Sequence, residues 1–146
     1  MDEKRLSSFL ASLEKDREEN LERIREEALR DHVPLIRPET EALLVFFLEE
    51  RKPERILEVG TAVGYSACVM AGKLKEARID TIENYPPRIE KALENFEKAG
   101  VSDRVRLIPG EASEVLKALV REKRQYDLVF MDAAKGQYIC WLDDVL

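Results

Sequence analysis

Three short segments hold the residues whose types and spacing suit chemistry. In the first, Glu58-Val59-Gly60-Thr61-Ala62-Val63-Gly64-Tyr65-Ser66, two glycines fall in a turn between an apolar run and a helical pattern. Glycine lets the backbone approach a ligand closely, and the first N–H groups of the following helix are unpaired and suit a polar or anionic group. The spacing is not the dinucleotide fingerprint, because Ala62 stands where the second glycine would be and Gly64 follows Gly60 by four. A P-loop is excluded, since no Gly-Lys-Ser or Gly-Lys-Thr is present. Alone, the turn reads equally as a nucleotide site or as a structural turn. The second segment ends in Glu83, a carboxylate that a parallel sheet would set beside the glycine turn, where it can accept hydrogen bonds from two ribose hydroxyls. Together the two indicate an adenosine-type ligand. The third is Asp132-Ala133-Ala134-Lys135. Asp132 ends an apolar strand and suits a metal ligand, and Lys135 is either a base with lowered pKa or a solvated partner of Asp132.

These residues need a scaffold that delivers strand ends to one edge. Residues 55–59, 79–83, 105–109 and 126–132 read as strands, and helical patterns fall between them at 65–74, at 87–99 burying Ile89, Leu93 and Phe96, and at Val115, Leu116, Leu119 and Val120. Strict alternation predicts an α/β fold, a parallel sheet with right-handed crossovers and helices on both faces. Upstream, residues 1–31 form a charged amphipathic helical arm, with Asp16 and Glu19 placed to cap a second helical piece. The arm serves as a substrate lid, a dimer contact or a helix packed on the domain. Prolines at 34 and 38 force an extended connector, and Pro38 then opens a helix through Ala42, Leu43, Phe46 and Phe47. The organisation is one domain, an arm at 1–31 and an α/β core at 33–146.

Composition narrows the rest. The 146 residues carry 24 Lys plus Arg against 30 Asp plus Glu, a net charge of −6, and 45% are hydrophobic, which excludes a disordered or collagen-like chain. No apolar run suits a membrane span and the charged start lacks a signal peptide's hydrophobic stretch, so the expectation is a cytoplasmic protein with no membrane partner. A single histidine, His32, excludes a His-rich zinc site, and Cys68 and Cys140 read as two reduced thiols. The acidity argues against broad electrostatic binding of nucleic acid.

Taken in order, the motifs resemble those of the cation-dependent, S-adenosylmethionine-dependent O-methyltransferases, the group that includes catechol and caffeoyl-CoA O-methyltransferases and a bacterial branch acting on tRNA hydroxyuridine. The resemblance runs from Val33 to Tyr138. It implies a Rossmann-like class I methyltransferase fold, with S-adenosylmethionine and a divalent cation, Mg²⁺, as cofactors. By it, Gly60, Ala62 and Gly64 belong to the cofactor turn, Ser66 binds the methionine carboxylate or amino group, and Glu58 orients the loop. Glu83 takes the ribose hydroxyls, Glu111 and Ala112 in Gly110-Glu111-Ala112-Ser113 meet the adenine, and Ile36 closes over the cofactor from the connector. Asp132 is implied as ligand of the cation and of the cofactor's amino end, and Lys135 as the base. The acceptor is implied to be a small, catechol-like hydroxyl compound or a tRNA hydroxyuridine.

The family pattern continues with a Pro-Gly-Gly turn, a strand ending in Asp-Asn and further strands, which do not occur before Leu146. The expectation is therefore the cofactor-binding portion of a longer enzyme, or a homodimer that covers the apolar fourth strand. Asp143 and Asp144 read as surface acids of a helix. Two other readings stand beside this one: a non-catalytic binding module, and a nicotinamide-dependent oxidoreductase, which the turn spacing disfavours.

Overall fold

The computed structural model describes residues 18–133, 136 and 138–146. Four short strands form its centre: β1 (Arg55–Val59), β2 (Arg78–Glu83), β3 (Val105–Pro109) and β4 (Leu128–Met131), in the spatial order β3-β2-β1-β4, all parallel. The helices are α1 (Glu19–Arg30), α2 (Pro38–Arg51), α3 (Tyr65–Lys73), α4 (Pro86–Lys98), α5 (Ala112–Arg121) and α6 (Tyr138–Val145). The α/β reading, with alternating strands and helices, is what the chain forms.

Side chains alternate across a strand, so each strand feeds two cores. Ile56 and Ile79 join the larger core with Ile24 and Ala28 of α1, Leu44 and Leu48 of α2, Met70 of α3 and Phe96 of α4. Leu57, Val59 and Ile82 join Leu116 and Leu119 of α5 and Trp141 of α6 on the opposite face. The same period of two puts Glu58 and Thr81, which are register partners on neighbouring strands, on the face that α3 covers.

Several details differ from the sequence reading. Helix α1 starts at Glu19 with Glu18 as its N-cap and no side-chain capping bond from that residue, and the expected Asp16–Glu19 cap involves Asp16, which lies outside the described residues. Residues 1–17 lie outside the described residues. The described part of the arm is packed on the domain: Ile24 and Ala28 are buried, and Glu27 pairs with Lys91 of α4 at 2.7 Å. On α4 the buried side chains are Ala92, Asn95 and Phe96, whereas Leu93 is exposed, because that helix is turned one position so that its polar Asn95 faces inward. On α5, Leu116 and Leu119 are buried and Val120 is exposed. Strand β4 is half-buried along its length, having a neighbour on one side only among the described residues. Asp143 is exposed on α6, as expected, and no described helix is long and apolar enough to cross a membrane.

Candidate functional site

Register brings the strand ends level: Val59 lies opposite Ile82 on one side and Met131 on the other, and Glu83 opposite Pro109. The loops that follow therefore crowd one edge of the sheet, the carboxyl edge where open α/β folds take their ligands. A cleft of about 610 Å³ lies there, within the range of about 300–1,000 Å³ usual for small-molecule sites. One wall comes from the connector and α2 (Ile36, Arg37, Thr40), the floor from Gly60, Thr61 and Ala62 with Tyr65 and Ser66, and the other wall from Glu83, Asn84, Gly110, Glu111 and Ala112. Asp132 and Ala133 close the side towards β4, above Trp141. Of the residues singled out in the sequence, Ile36, Gly60, Ala62, Ser66, Glu83, Glu111, Ala112 and Asp132 thus meet around one cleft. Lys135 lies outside the described residues.

Glu58 and Gly64 do not reach the cleft wall. Glu58 is fully buried beneath the turn, where its carboxylate accepts hydrogen bonds from Ser66 Oγ and, at 2.5 Å, from Thr81 Oγ1. Thr81 in turn shares a 2.6 Å hydrogen bond with Thr61. Burial pushes the Glu58 carboxyl up to about 7, against the two hydroxyl bonds, which lower it, and the nearby Asp132 and Glu83 charges raise it further. Gly64 caps α3 at φ +82, and a Cβ there would stand 2.5 Å from the Phe96 ring. Its missing side chain serves packing. Gly60, at φ +103, has the Asp132 carbonyl oxygen 2.6 Å from where a Cβ would be, so glycine here lets the end of β4 close on the turn.

The turn uses its own donors. The N–H groups of Gly60 and Thr61 both donate to Ile82 O, that of Ala62 to Glu83 Oε2 at 2.9 Å, and that of Gly64 to Thr61 O. An anion cradle of the pyrophosphate type needs such groups free. No side chain caps the first turn of α3, which brings Tyr65 and Ser66 to the cleft. Glu83 is similarly engaged: Oε1 accepts from the N–H groups of Asn84 and Tyr85 and Oε2 from Ala62. Of about four acceptor positions on a carboxylate, three are in use, which leaves one for a ligand hydroxyl.

Asp132 is exposed, and its backbone is firmly set. Its N–H donates to Val59 O, and Tyr138 Oη donates to the carbonyls on either side, Met131 O at 3.2 Å and Ala133 O at 3.1 Å. Across the cleft, Asn84 Nδ2 donates to Glu111 Oε2 at 2.7 Å, joining the ends of β2 and β3. Two carboxylates, Glu83 and Asp132, flank the turn at the cleft, so its floor favours a positive centre over an anion. Sequence reasoning missed Arg37, Thr40, Asn84 and Trp141, which line the cleft, and Thr61 and Thr81, which serve Glu58. The period of two could have placed Thr81 beside Glu58 once the strand register was assumed.

Among the described residues no group of three His, Cys, Asp or Glu side chains could hold a metal ion. Glu58 is buried and Glu83 is largely occupied by its own hydrogen bonds, which leaves Asp132 and Glu111 as the other carboxylates at the cleft, whereas a hard divalent ion takes about six oxygen ligands. The described residues do not fit such an ion.

The O-methyltransferase family profile matches residues 11–146. The catechol O-methyltransferase of Mycobacterium tuberculosis is 37% identical over 89 residues, which cover 60% of this chain and 40% of that protein. The catechol O-methyltransferase of Sus scrofa is 35% identical over 98 residues, 63% of this chain and 51% of that one. Among solved structures, the S-adenosylhomocysteine-bound Podospora anserina methyltransferase PaMTH1 superposes with a TM-score of 0.86 at 32% identity, over 99% of this chain and 64% of that chain. The O-methyltransferase TomG of Streptomyces achromogenes, in complex with S-adenosylmethionine, gives 0.85 at 28% identity, over 99% and 68%. The chain spans about half or less of the length of these curated relatives.

Proposed function

Because the chain belongs to the O-methyltransferase family, we propose that its cleft binds S-adenosylmethionine and presents the sulfonium methyl group to an acceptor hydroxyl oxygen. The observation that carries this reading is the state of the glycine turn: the N–H groups of Gly60, Thr61, Ala62 and Gly64 are consumed within the fold, and the carboxylates of Glu83 and Asp132 flank the cleft beside it. A nicotinamide dinucleotide would bring a pyrophosphate to a turn in which the N–H groups of Gly60, Thr61, Ala62 and Gly64 are already used. A sulfonium brings a positive charge to a negative floor.

In this reading the one free acceptor position of Glu83 takes a ribose hydroxyl, and Glu111 and Ala112 flank the adenine. The N-terminal turn of α3, at Ser66, meets the methionine carboxylate. Ser66 has a single hydroxyl proton and gives it to Glu58, so its oxygen is left to accept from the cofactor ammonium group. Asp132, held by Val59 and Tyr138, faces the same end. Transfer itself is a displacement: the acceptor oxygen forms a bond to the methyl carbon, the carbon–sulfur bond breaks with its electron pair passing to sulfur, and the acceptor's proton leaves. Most of the gain comes from alignment of oxygen, carbon and sulfur, which the rigid strand ends supply. The family resemblance gives Lys135 the role of receiving the proton. It also associates a Mg²⁺ ion with Asp132, but the described residues supply too few ligands, and no step is assigned to it. The relatives named for catechol support a small hydroxylated acceptor.

Calorimetric titration with S-adenosylhomocysteine tests the reading. Binding in the micromolar range is expected, and Glu83→Ala is expected to weaken it by more than about tenfold, since it removes both the ribose acceptor and the bond that holds Ala62. Undiminished binding by that variant would contradict the assignment.

A further inference from the structure

Helix α4 carries a polar side chain into the core directly under the glycine turn. Asn95 is 1% exposed and lies on the buried stripe with Ala92 and Phe96. Burying an amide is unfavourable unless its groups are used. Asn95 Nδ2 donates to Val63 O at 2.9 Å, and among the described residues this is the hydrogen bond which that carbonyl receives. The N–H of the same peptide unit belongs to Gly64 and donates to Thr61 O at 2.8 Å. One peptide plane is thus pinned from both sides. The next Cα is held as well, because the ring of Phe96, the neighbour of Asn95, fills the space beside Gly64. The other amide atom, Asn95 Oδ1, has no partner. Turning the amide over would set Oδ1 against Val63 O, so the acceptor fixes which way Asn95 faces.

We propose that Asn95 is a positioning residue for the cofactor turn, acting through the peptide between Val63 and Gly64. Immediately before that peptide, Ala62 directs its N–H to Glu83, and immediately after it the chain enters α3, whose first turn brings Ser66 to the cleft. With the donor removed, the Val63 carbonyl is left buried without a partner and the peptide rotates towards other acceptors and water. Both the Glu83 contact and the entry into α3 then lose their fixed direction. The inference rests on the cofactor reading for its functional meaning and adds a residue outside the cleft wall to it.

The test compares Asn95→Leu, which keeps the shape and removes the donor, with Val105→Ala, a core change at the far edge of the sheet. In the ligand-free protein, amide exchange over residues 62–66 reads the turn directly. It is expected to speed up about tenfold in Asn95→Leu relative to Val105→Ala at matched global stability, a change of about 1.4 kcal/mol. The dissociation constant for S-adenosylhomocysteine is expected to rise by a similar factor in Asn95→Leu and to stay within about twofold in Val105→Ala. Asn95→Asp adds a pH readout, since a protonated carboxyl donates to Val63 O and an ionised one does not; binding is expected to recover towards pH 5 and to be lost at pH 8. Equal exchange and equal affinity in the leucine and control variants would overturn the proposal. Failure of the wild-type chain to bind S-adenosylhomocysteine would instead strike the cofactor reading, while the exchange comparison would still decide the role of Asn95.

Discussion

Replacing Glu58 by glutamine isolates the energetic consequence of burying a carboxyl under the turn. Glu58 has no exposed surface, and burial raises it from 4.5 to about 7. The folded state therefore holds its proton more tightly than the unfolded chain does. The corresponding stability is fully present below about pH 4.5 and is lost as the pH rises through 7. Carried from pH 5 to pH 8.5, that difference in proton affinity amounts to about 2–3 kcal/mol for this group. Glutamine is neutral at every pH and close in shape, and rotating hydroxyls on Ser66 and Thr81 can meet its oxygen and its amide. Any constant offset from altered hydrogen bonds is removed by comparing one pH with another. Urea unfolding of wild type and Glu58→Gln at pH 5, 6, 7 and 8.5 is expected to show the stability difference moving by about 2–3 kcal/mol in favour of the variant as the pH rises. A difference that stays flat, or moves the other way, would refute the argument that desolvation dominates at this site.

Two further changes probe the turn and the end of β4. Gly64→Ala meets both a positive φ and the Phe96 ring, and is expected to cost about 2–4 kcal/mol by thermal or urea unfolding; adding Phe96→Leu should return the steric part of that loss and leave the conformational part. Tyr138→Phe removes the hydroxyl that the Met131 and Ala133 carbonyls share, and is expected to cost about 1 kcal/mol of stability and to weaken S-adenosylhomocysteine binding severalfold in calorimetric titration.

The sheet and its edge were legible because their signals are local. Apolar runs at 55–59, 79–83 and 105–109 with glycine or proline between them place each strand within a residue or so, and parallel pairing then gathers Gly60, Glu83, Glu111 and Asp132 at one end. What the sequence hid depends on partners far along the chain. Gly64 looks like a ligand-facing glycine, yet it answers to Phe96, which lies on another helix. The turn looks like a set of free donors until the strand end at Ile82 and the side chain of Glu83 are seen to occupy them. Leu93 looks more buried than Asn95 on hydrophobicity, but the rotation of α4 is set by packing around Ala92 and Phe96 and by the carbonyl that Asn95 serves. Glu58 is a strand residue by pattern and a near-neutral acid because the fold buries it, although the Thr81 hydroxyl opposite and that of Ser66 bind its carboxylate and lower it.

The central claim is that the cleft takes an adenosyl amino-acid cofactor rather than a dinucleotide. Thermal unfolding of the 146-residue chain with S-adenosylhomocysteine and with NADH, each in large excess, tests it most directly. At one hundred times its dissociation constant a ligand stabilises the native state by about 2.7 kcal/mol, which at this chain length raises Tm by about 5–10 °C. The account predicts a rise of that size with S-adenosylhomocysteine and no rise with NADH; a rise with NADH and none with S-adenosylhomocysteine would contradict it.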